Sequence, residues 1–506
     1  MKKLIAYVSL FAILLSVLAA FIGCGETGDG TETTHSTVTA ESNVESTTVE
    51  VDHRFDNVDY DGREFRIYVN SNTDACISIA PTNFFEGAGV TTGDKVNDAV
   101  VERNMQVEEL IDVTLVHTYC NLGFMETMTD IRTYTASGTD EVDLVMGYLL
   151  PFGTLVVEGH FCNVQDEGVF DFDRPYWYKE CMEDLRLVDD YQYLLAGDYF
   201  INVLRQVHIS LLNKNLYMDY YHRSADELYD MVLNYEWTLD KMNEIIADKY
   251  VDLNGNGVRD NGDRFGYINR DSWGYFEPFV TCSNPPFIAR DEDGVPSITL
   301  REGERSGQIA DKMTQLYHNE STYLKFDTET DLYMAFSRDE SLMVGYQFLG
   351  SLENDVFRQM ESDVAVLPYP MLNASDKKYT SAFQESARMG AIPTTSTDMD
   401  FISTVIEVLN RESASILIPQ YYHEGLKVRL VDDEKAAAMI DIIHDNVGNS
   451  FIVGYNYTLG NEVFNIFFEA AKSKRTFDVV YKGYEKALPR ALNKALENFR
   501  KNNDVD

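Results

Sequence analysis

Oxygen-bearing side chains recur at short intervals between residues 252 and 263, in the segment DLNGNGVRDNGD. A calcium loop of the EF-hand kind takes side-chain oxygens at positions 1, 3, 5, 9 and 12, a backbone carbonyl at position 7 and a glycine at position 6 for a sharp turn. Gly257 occupies position 6. The ligand positions hold residues of the required kinds: Asp252, Asn254, Asn256, Val258, Asp260 and Asp263. The spacing therefore predicts a calcium-binding loop.

We expect this loop to have a structural role. Position 12 is Asp263 instead of the usual glutamate, and the shorter side chain makes bidentate binding and high affinity less favourable. No nucleophile or general base accompanies the loop, so we expect Ca²⁺ to stabilise the fold there without taking part in a reaction. The alternative is a solvated Asn/Gly-rich turn that binds no metal.

The chain is strongly acidic. Its 506 residues include 83 acidic and 42 basic side chains, which give a formal net charge of −41, and 44% of the residues are hydrophobic. The hydrophobic content suffices for two or three domains with cores of ordinary size. Because this charge repels phosphate backbones and anionic membranes, we exclude nucleic acid as a partner. We expect a neutral or cationic ligand in an extracellular setting.

The N-terminus has the pattern of a secretory signal. Two lysines precede an apolar run over 4–21 that ends just before Cys24. The end of this run resembles a bacterial lipobox, in which the cysteine becomes the diacylated N-terminus. We predict a signal peptide over 1–23, lipidation of Cys24 and a polar, flexible tether over 24–55. An uncleaved membrane anchor is the alternative, and both place the remaining chain outside the cytoplasm.

Strand-like and helix-like segments alternate beyond the tether. Residues 65–69 form a short β-rich run, 96–111 have apolar side chains at helical spacing, and 112–119 again have the pattern of a strand. This alternation predicts mainly parallel sheets flanked by helices. In such sheets ligands bind beyond the carboxyl ends of the strands. Tyr148, in the apolar run that begins at Val142, is therefore a candidate for ligand contact.

Several segments, taken in their order along the chain, resemble one family. They include VNDAVVERNMQVEELIDVTL from Val96, VDLVMGY from Val142, AFSRDESLMVGYQFLGSL from Ala335 and VAVLPYPM from Val364. Beyond the tether the chain resembles the extracellular solute-binding lipoproteins of carbohydrate-type bacterial ABC importers. The resemblance implies an α/β fold of the type II periplasmic-binding-protein kind, in which each of two lobes is a mainly parallel sheet flanked by helices. It also implies that the lobes close over a sugar.

The same resemblance sets the expected lobes and partners. Lobe I is expected over 56–200 plus 340–385, and lobe II over 201–339 plus 386–506, with the calcium loop in lobe II. The expected partners are an oligosaccharide or other small neutral solute, the ABC permease subunits and the lipid anchor. The protein is expected to act as a monomer on the extracellular face of the cytoplasmic membrane.

Aromatic and polar side chains near the expected crossings between the lobes are candidates for sugar contacts. Aromatic rings cover the CH surfaces of a sugar, while carboxylate, amide or guanidinium groups bind its hydroxyls. The candidates are Tyr148, Trp177, Asp198, Trp273, Tyr275, Tyr346, Glu385 and Arg388. The alternative is ordinary core packing for the aromatic residues and solvated surface for the charged ones.

Motifs for catalysis are absent from the sequence. The nine histidines form no HExxH pair or obvious zinc cluster, and no GxSxG, GxGxxG or P-loop pattern occurs. We therefore expect a binding protein and not an enzyme. A secreted glycan hydrolase or lyase is one alternative, since hydrolysis needs only two suitably spaced carboxylates. A peptide- or polyamine-binding lipoprotein is another, which the acidic charge favours.

Overall fold

The computed structural model describes residues 53–71, 90–425, 434–448 and 451–503. The predicted signal peptide, the predicted lipidation site at Cys24 and most of the predicted tether lie outside these ranges. The tether was expected to extend to residue 55, but Phe55 is buried in the hydrophobic core. The folded body therefore begins before the expected end of the tether.

Strands and helices alternate along the described chain. The strands are β1 (Arg63–Asn70), β2 (Val113–Cys120), β3 (Leu144–Tyr148), β4 (Leu194–Leu195), β5 (His208–Asn213), β6 (Phe265–Ile268), β7 (Ile288–Arg290), β8 (Pro296–Ile298), β9 (Thr322–Tyr323), β10 (Ser341–Phe348), β11 (Val364–Pro368) and β12 (Arg388–Ala391). The α-helices of the first two thirds are α1 (Lys95–Ile111), α2 (Phe124–Ser137), α3 (Leu149–Val157), α4 (Lys179–Asp184), α5 (Ile201–Arg205), α6 (Lys214–Tyr221), α7 (Asp226–Leu233), α8 (Leu239–Ile246), α9 (Glu277–Thr281), α10 (Arg305–Tyr317), α11 (Glu329–Ser337) and α12 (Asp355–Arg358). The C-terminal part adds α13 (Met399–Glu412), α14 (Ile418–Gln420), α15 (Glu434–Asp445), α16 (Phe451–Tyr455), α17 (Val463–Ser473), α18 (Phe477–Tyr481) and α19 (Ala487–Asn502).

The strands of the described chain form two five-stranded sheets and one hairpin, β7–β8. The first sheet has the order β2-β1-β3-β12-β4, in which β1 is parallel to both neighbours and β12 is antiparallel to both of its own. The second has the order β11-β5-β10-β6-β9, in which β6 is parallel to both neighbours and β5 is antiparallel to both. Each sheet thus has a parallel part joined to antiparallel strands, and the helices connect them.

The chain passes from the first sheet to the second between β4 and β5 and returns between β11 and β12. The expected lobe boundaries differ from this path. Residues 340–385 were expected in lobe I, yet β10 and β11 pair within the second sheet, and 386–506 were expected in lobe II, yet β12 pairs within the first. An apolar run predicts that a strand is buried, but it does not specify the strand to which it hydrogen-bonds. The return crossing is the segment 369–387.

Local signals explain the elements that lead to the crossings. β3 is buried along its whole length, as expected of the central strand of a sheet, and it joins the parallel part of the first sheet to the antiparallel part. α8 begins after its N-cap Thr238, whose hydroxyl oxygen accepts from the N–H of Lys241 at 3.2 Å. The neighbouring Trp237 is buried, and its Nε1 donates to the carbonyl of Pro368 at 2.9 Å. These contacts fix the start of α8 against the end of β11.

Candidate functional site

The carboxyl end of β3 meets the start of β12 where the return crossing ends. Tyr148, the last residue of β3, pairs with Arg388 in the antiparallel ladder, and the Arg388 guanidinium lies 5.7 Å from the centroid of its ring. The N–H of Leu150 donates to the carbonyl of Glu385 at 3.0 Å. The first sheet therefore holds Tyr148, Glu385 and Arg388 at the edge where parallel sheets bind ligands.

A hydrogen bond connects this crossing to the second sheet. Gln384 Nε2 donates to the Tyr346 hydroxyl at 2.6 Å. Tyr346 lies in β10, where the register with β5 shifts between Val344 and Gln347, and its φ of +55° is in the left-handed region. A tyrosine rarely adopts this conformation, and residues that do are concentrated at functional sites. The bulge brings the Tyr346 hydroxyl to the crossing.

Aromatic rings surround Tyr346 on the second sheet. Its ring centroid lies 4.5 Å from that of Tyr275 and 4.9 Å from that of Phe348. The imidazole of His208, the first residue of β5, lies 5.0 Å from the Phe348 ring and 6.0 Å from the Tyr346 ring. The Tyr275 hydroxyl donates to Glu329 Oε1 at 2.6 Å, which fixes the orientation of this ring. We call the side chains of Tyr275, Tyr346, Phe348 and His208 the aromatic wall.

A carboxyl group and an imidazole are buried beside this wall. Glu277 and His208 have exposed fractions of 2% and 0%, and Glu277 Oε1 lies 3.9 Å from His208 Nε2. Within the described chain neither that oxygen nor either His208 ring nitrogen has a hydrogen-bond partner. Burial raises the pKa of Glu277 to about 8 and lowers the pKa of His208 to about 3. At neutral pH both side chains are therefore mainly uncharged.

Glu385 adds a second carboxyl group with a raised pKa. Burial raises its pKa to about 8, and electrostatic repulsion from Glu277 acts in the same direction. Gln347 is also buried, and its Nε2 donates to the carbonyls of Gly345 and Tyr346 at 2.9 and 3.1 Å. Its Oε1 has no hydrogen-bond partner in the described residues. Buried polar groups are normally hydrogen-bonded, so an ordered water or a ligand is needed to satisfy these atoms.

Two predicted site residues belong to a different buried cluster. Trp177 Nε1 donates to Glu407 Oε1 at 3.0 Å, and its ring packs against that of Phe172 with a centroid separation of 5.2 Å. Asp198 accepts hydrogen bonds from the Tyr178 hydroxyl at 3.0 Å and from His444 Nε2 at 3.1 Å. Both side chains therefore have internal partners that account for their burial.

Trp273 also has a packing partner of its own. Its ring stacks on that of Phe464 in α17, with the planes 3° apart and the centroids separated by 5.9 Å. Tyr275, two residues later, instead packs on Tyr346. The segment that contains both residues thus presents one ring to a helix and the other to the aromatic wall.

The structure brings together five of the eight predicted side chains: Tyr148, Tyr275, Tyr346, Glu385 and Arg388. Sequence reasoning missed four neighbours of this group: His208, Glu277, Gln347 and Gln384. A signal was present for two of them, because Glu277 and His208 start the apolar segments EPFV and HISLL. Burying an ionisable group in such a segment is costly unless it has a function.

Comparison with solved structures shows the fold. A crystal structure of a cyclo/maltodextrin-binding protein complexed with maltotetraose covers 87% of this chain and 98% of that chain, with a TM-score of 0.52 and 11% sequence identity. The chain has the fold of a two-lobed solute-binding protein. An ABC substrate-binding protein from Listeria monocytogenes in complex with cycloalternan covers 88% of this chain and 100% of that chain, with a TM-score of 0.48 and 11% identity. No family model matches the sequence, and no curated protein matches it.

The predicted α/β solute-binding fold is thus confirmed, and the site described above lies where its two sheets meet. β3 and β10 end there, and the return crossing contacts the end of each through hydrogen bonds of Glu385 and Gln384. In the part of the chain that the structure describes, no helix combines the length and the hydropathy needed to span a bilayer.

The predicted calcium loop is closed by its own side chains. The two carboxylate oxygens of Asp252 accept from the N–H groups of Gly255 and Gly257 at 2.7 and 2.8 Å. The Nδ2 atoms of Asn254 and Asn256 donate to the two carboxylate oxygens of Asp260 at 3.0 and 2.8 Å. Positions 3, 5 and 9 of the loop therefore converge on one another.

The donor set of this loop is partly carboxylate and partly amide. Asp263, at position 12, is buried and accepts from the N–H of Leu253 and the hydroxyl of Tyr250, both at 3.2 Å. No group of three or more His, Cys, Asp or Glu side chains is arranged to hold a metal ion within the described ranges. The Oδ1 atoms of Asn254 and Asn256 accept from the N–H groups of Asn256 and Val258 at 2.9 and 2.6 Å. Carboxylate and amide oxygens of this kind are the ligands that a hard cation prefers.

Proposed function

We propose that this protein captures an oligosaccharide or a related sugar between its lobes and delivers it to an ABC importer. The supporting observation is the buried group at the meeting of the two sheets, in which Glu277, His208 and Gln347 carry polar atoms without hydrogen-bond partners in the described chain. Aromatic rings of Tyr275 and Tyr346 lie beside these atoms. A sugar needs this combination, since its CH faces pack on rings and its hydroxyls require donors and acceptors.

The binding step requires no covalent chemistry. The carboxyl groups of Glu277 and Glu385 and the Gln347 oxygen would accept hydrogen bonds from sugar hydroxyls, and the Tyr148 and Tyr346 rings would cover apolar faces of the sugar. A ligand that contacts both lobes binds the closed form better than the open form and shifts the population toward it. The solved structure with the shared fold contains maltotetraose, which supports an oligosaccharide as the ligand class.

Thermal unfolding of the chain from residue 25 onward, in the presence of candidate ligands, tests this proposal. A ligand at one hundred times its dissociation constant adds about 2.7 kcal/mol to the free energy of unfolding, which raises Tm by several degrees. We expect this rise with maltotetraose or another oligosaccharide and an intact sugar after incubation. A response to peptides or polyamines alone, or release of shorter sugars, would instead support one of the alternatives named above.

We also propose that Cys24 is lipidated after removal of residues 1–23, which would hold the protein on the extracellular face of the cytoplasmic membrane. The support is the sequence pattern alone. Metabolic labelling with a radioactive fatty acid should mark the full-length protein. The Cys24→Ser variant should stay unlabelled.

Calcium binding by the loop is a separate proposal. The ligands would be the side chains of Asp252, Asn254, Asn256, Asp260 and Asp263 and the carbonyl of Val258. Bound Ca²⁺ would neutralise the charge of these carboxylates, and the ion would cross-link the loop. We expect Ca²⁺ to raise Tm of the wild type and to leave Tm of Asp260→Ala unchanged, with Mg²⁺ as the control ion.

A further inference from the structure

An arginine beside the aromatic wall lies at the carboxyl ends of parallel strands in the second sheet. β6 is parallel to β9 and β10, so the carboxyl ends of these strands share one edge of the sheet. Arg270 follows β6 by two residues, and the segment 324–328 leads from β9 to α11. Arg270 Nε and Nη2 donate to the carbonyls of Phe326 and Asp327 at 3.3 and 2.7 Å. Arg270 therefore connects the ends of β6 and β9.

The third nitrogen of this guanidinium contacts the aromatic wall. Arg270 Nη1 donates to the Tyr275 hydroxyl, and the guanidinium carbon lies 4.8 Å from the centroid of the Tyr275 ring. The hydroxyl in turn donates to Oε1 of Glu329, the first residue of α11, at 2.6 Å. Hydrogen bonds to charged groups are stronger than those between neutral groups. A guanidinium and a carboxyl group therefore hold the phenol hydroxyl between them.

The Tyr275 hydroxyl is used within the protein. It accepts one N–H group from Arg270 and donates its only proton to Glu329. Burial, together with the hydrogen bond to Glu329, raises the pKa of Tyr275, so the hydroxyl keeps this proton at neutral pH. Each of the three nitrogens of Arg270 donates to a protein oxygen. The geometry therefore favours a role for Arg270 that acts through the ring it holds.

We propose that Arg270 is a positioning residue for sugar binding, which fixes the Tyr275 ring on which Tyr346 packs. The centroids of these two rings are 4.5 Å apart. Tyr346 has a left-handed backbone conformation, and its hydroxyl accepts from Gln384 of the return crossing. The Tyr275 ring supports Tyr346 in the position from which it would cover a sugar. The link to a sugar rests on the proposed function, but the position of the Tyr275 ring can be measured without a sugar.

Isothermal titration calorimetry with maltotetraose tests the effect on binding. Arg270→Leu removes all of the donors, and its Kd for maltotetraose should be about tenfold higher than that of the wild type. Arg270→Lys retains the charge and a donor, and its Kd should return to within about threefold of the wild-type value. Arg500→Leu is the matched control, because Arg500 is exposed near the end of α19. It should bind maltotetraose as the wild type does.

Two Tyr275 variants distinguish positioning of the ring from a general structural role. Tyr275→Phe keeps the ring and removes the hydroxyl, so its Kd should rise about as much as that of Arg270→Leu. Tyr275→Ala removes the ring, and the further substitution Arg270→Leu should then change Kd by less than about twofold. An Arg270→Leu effect of the same size with and without the Tyr275 ring would overturn the inference.

Fluorine NMR of the protein labelled with fluorotyrosine measures the ring position without a sugar. The Tyr275 signal is assigned by its absence from Tyr275→Phe. It should shift in Arg270→Leu and return most of the way in Arg270→Lys, and an unchanged signal would overturn the inference.

The two measurements separate this inference from the proposed function. If the wild type and Arg270→Leu bind maltotetraose equally tightly, the inference is overturned and the sugar-binding function stands. If the fluorine signal shifts but no oligosaccharide binds the wild type, the proposed function fails, whereas the positioning of Tyr275 by Arg270 stands.

Discussion

Two acid–histidine pairs in this protein differ in their hydrogen bonding and in the direction in which the pKa of the histidine is shifted. Glu277 and His208 lie 3.9 Å apart without a hydrogen bond, and burial shifts both pKa values toward the uncharged forms. Asp198 and His444 are 3.1 Å apart and hydrogen-bonded. Burial alone would lower the pKa of His444, but hydrogen bonds to Asp198 and Asp445 outweigh it and raise this pKa to about 9.

The difference between the pairs separates a structural role from the ligand-facing role that we propose for Glu277 and His208. Asp198 has a second internal donor in the Tyr178 hydroxyl, so its burial is compensated within the fold. The atoms of Glu277 and His208 that lack partners in the described chain lie beside the aromatic wall and the return crossing. An acid–histidine pair therefore occurs in this protein both with and without internal hydrogen-bond partners, and these partners distinguish the two pairs.

The largest expected effect comes from breaking the hydrogen-bonded pair. Asp198→Ala leaves the Tyr178 hydroxyl and His444 Nε2 without the acceptor that they share, and should lower the free energy of unfolding by about 3 kcal/mol. Glu277→Gln replaces a carboxyl group that is already mainly uncharged at pH 7, and should change it by less than about 1 kcal/mol. Denaturant titration of both variants measures the contrast. Equal losses would show that the two pairs do not differ as described.

The pH dependence of stability gives the next largest effect. The pKa of His444 is raised from 6.5 to about 9 in the folded state. The pair therefore contributes its full stability below pH 6.5 and loses it as the pH rises through 9, a loss of about 3 kcal/mol. Since Glu277 and Glu385 also titrate with raised pKa values, the measurement is the difference between the wild type and His444→Gln. That difference should shrink between pH 6.5 and 9.5, and a constant difference would contradict the assignment.

Removal of the other imidazole should affect binding more than stability. His208→Leu replaces a ring whose nitrogens have no hydrogen-bond partners in the described chain with an apolar side chain of similar volume. The free energy of unfolding should stay the same or rise, while sugar affinity should fall about tenfold. Calorimetry and denaturant titration together check this, with the exposed His53→Leu as control. A large loss of stability would identify His208 as a structural residue.

The smallest effect is expected from the link between the sheets. Tyr346→Phe keeps the ring that packs on Tyr275 and removes the hydroxyl that accepts from Gln384. The free energy of unfolding should fall by about 1 kcal/mol. Thermal unfolding with and without sugar checks whether this loss is larger in the complex, as it should be if the hydrogen bond stabilises the closed form.

The parts of the fold that the sequence predicts are those that local pattern encodes. Alternating strand and helix segments predicted the α/β class. The carboxyl end of a buried strand predicted Tyr148 as a site residue. The assignment of β10, β11 and β12 to their sheets depends on pairing between distant strands, which an apolar run does not encode. The expected lobe boundaries failed for this reason.

The contacts of single site residues also depend on tertiary structure that local sequence does not encode. Trp177 and Tyr275 look alike in sequence, since each lies near another aromatic residue, yet Trp177 donates to Glu407 in the core and Tyr275 packs on Tyr346. The left-handed conformation of Tyr346 follows from a bulge in the β10–β5 ladder, which depends on tertiary pairing. Glu277 and His208 were missed because each begins an apolar segment, where composition alone suggests core.

The positions of the tryptophans determine which changes in this protein its intrinsic fluorescence can detect. The chain has three, and Trp177 and Trp237 are both buried and hydrogen-bonded through Nε1. Trp273 is only partly buried and lies two residues from Tyr275. Its emission is therefore the one most sensitive to solvent and to movement of the aromatic wall. Trp273 is thus an intrinsic fluorescent probe close in sequence to the proposed sugar site. Binding there can be followed without attaching a dye.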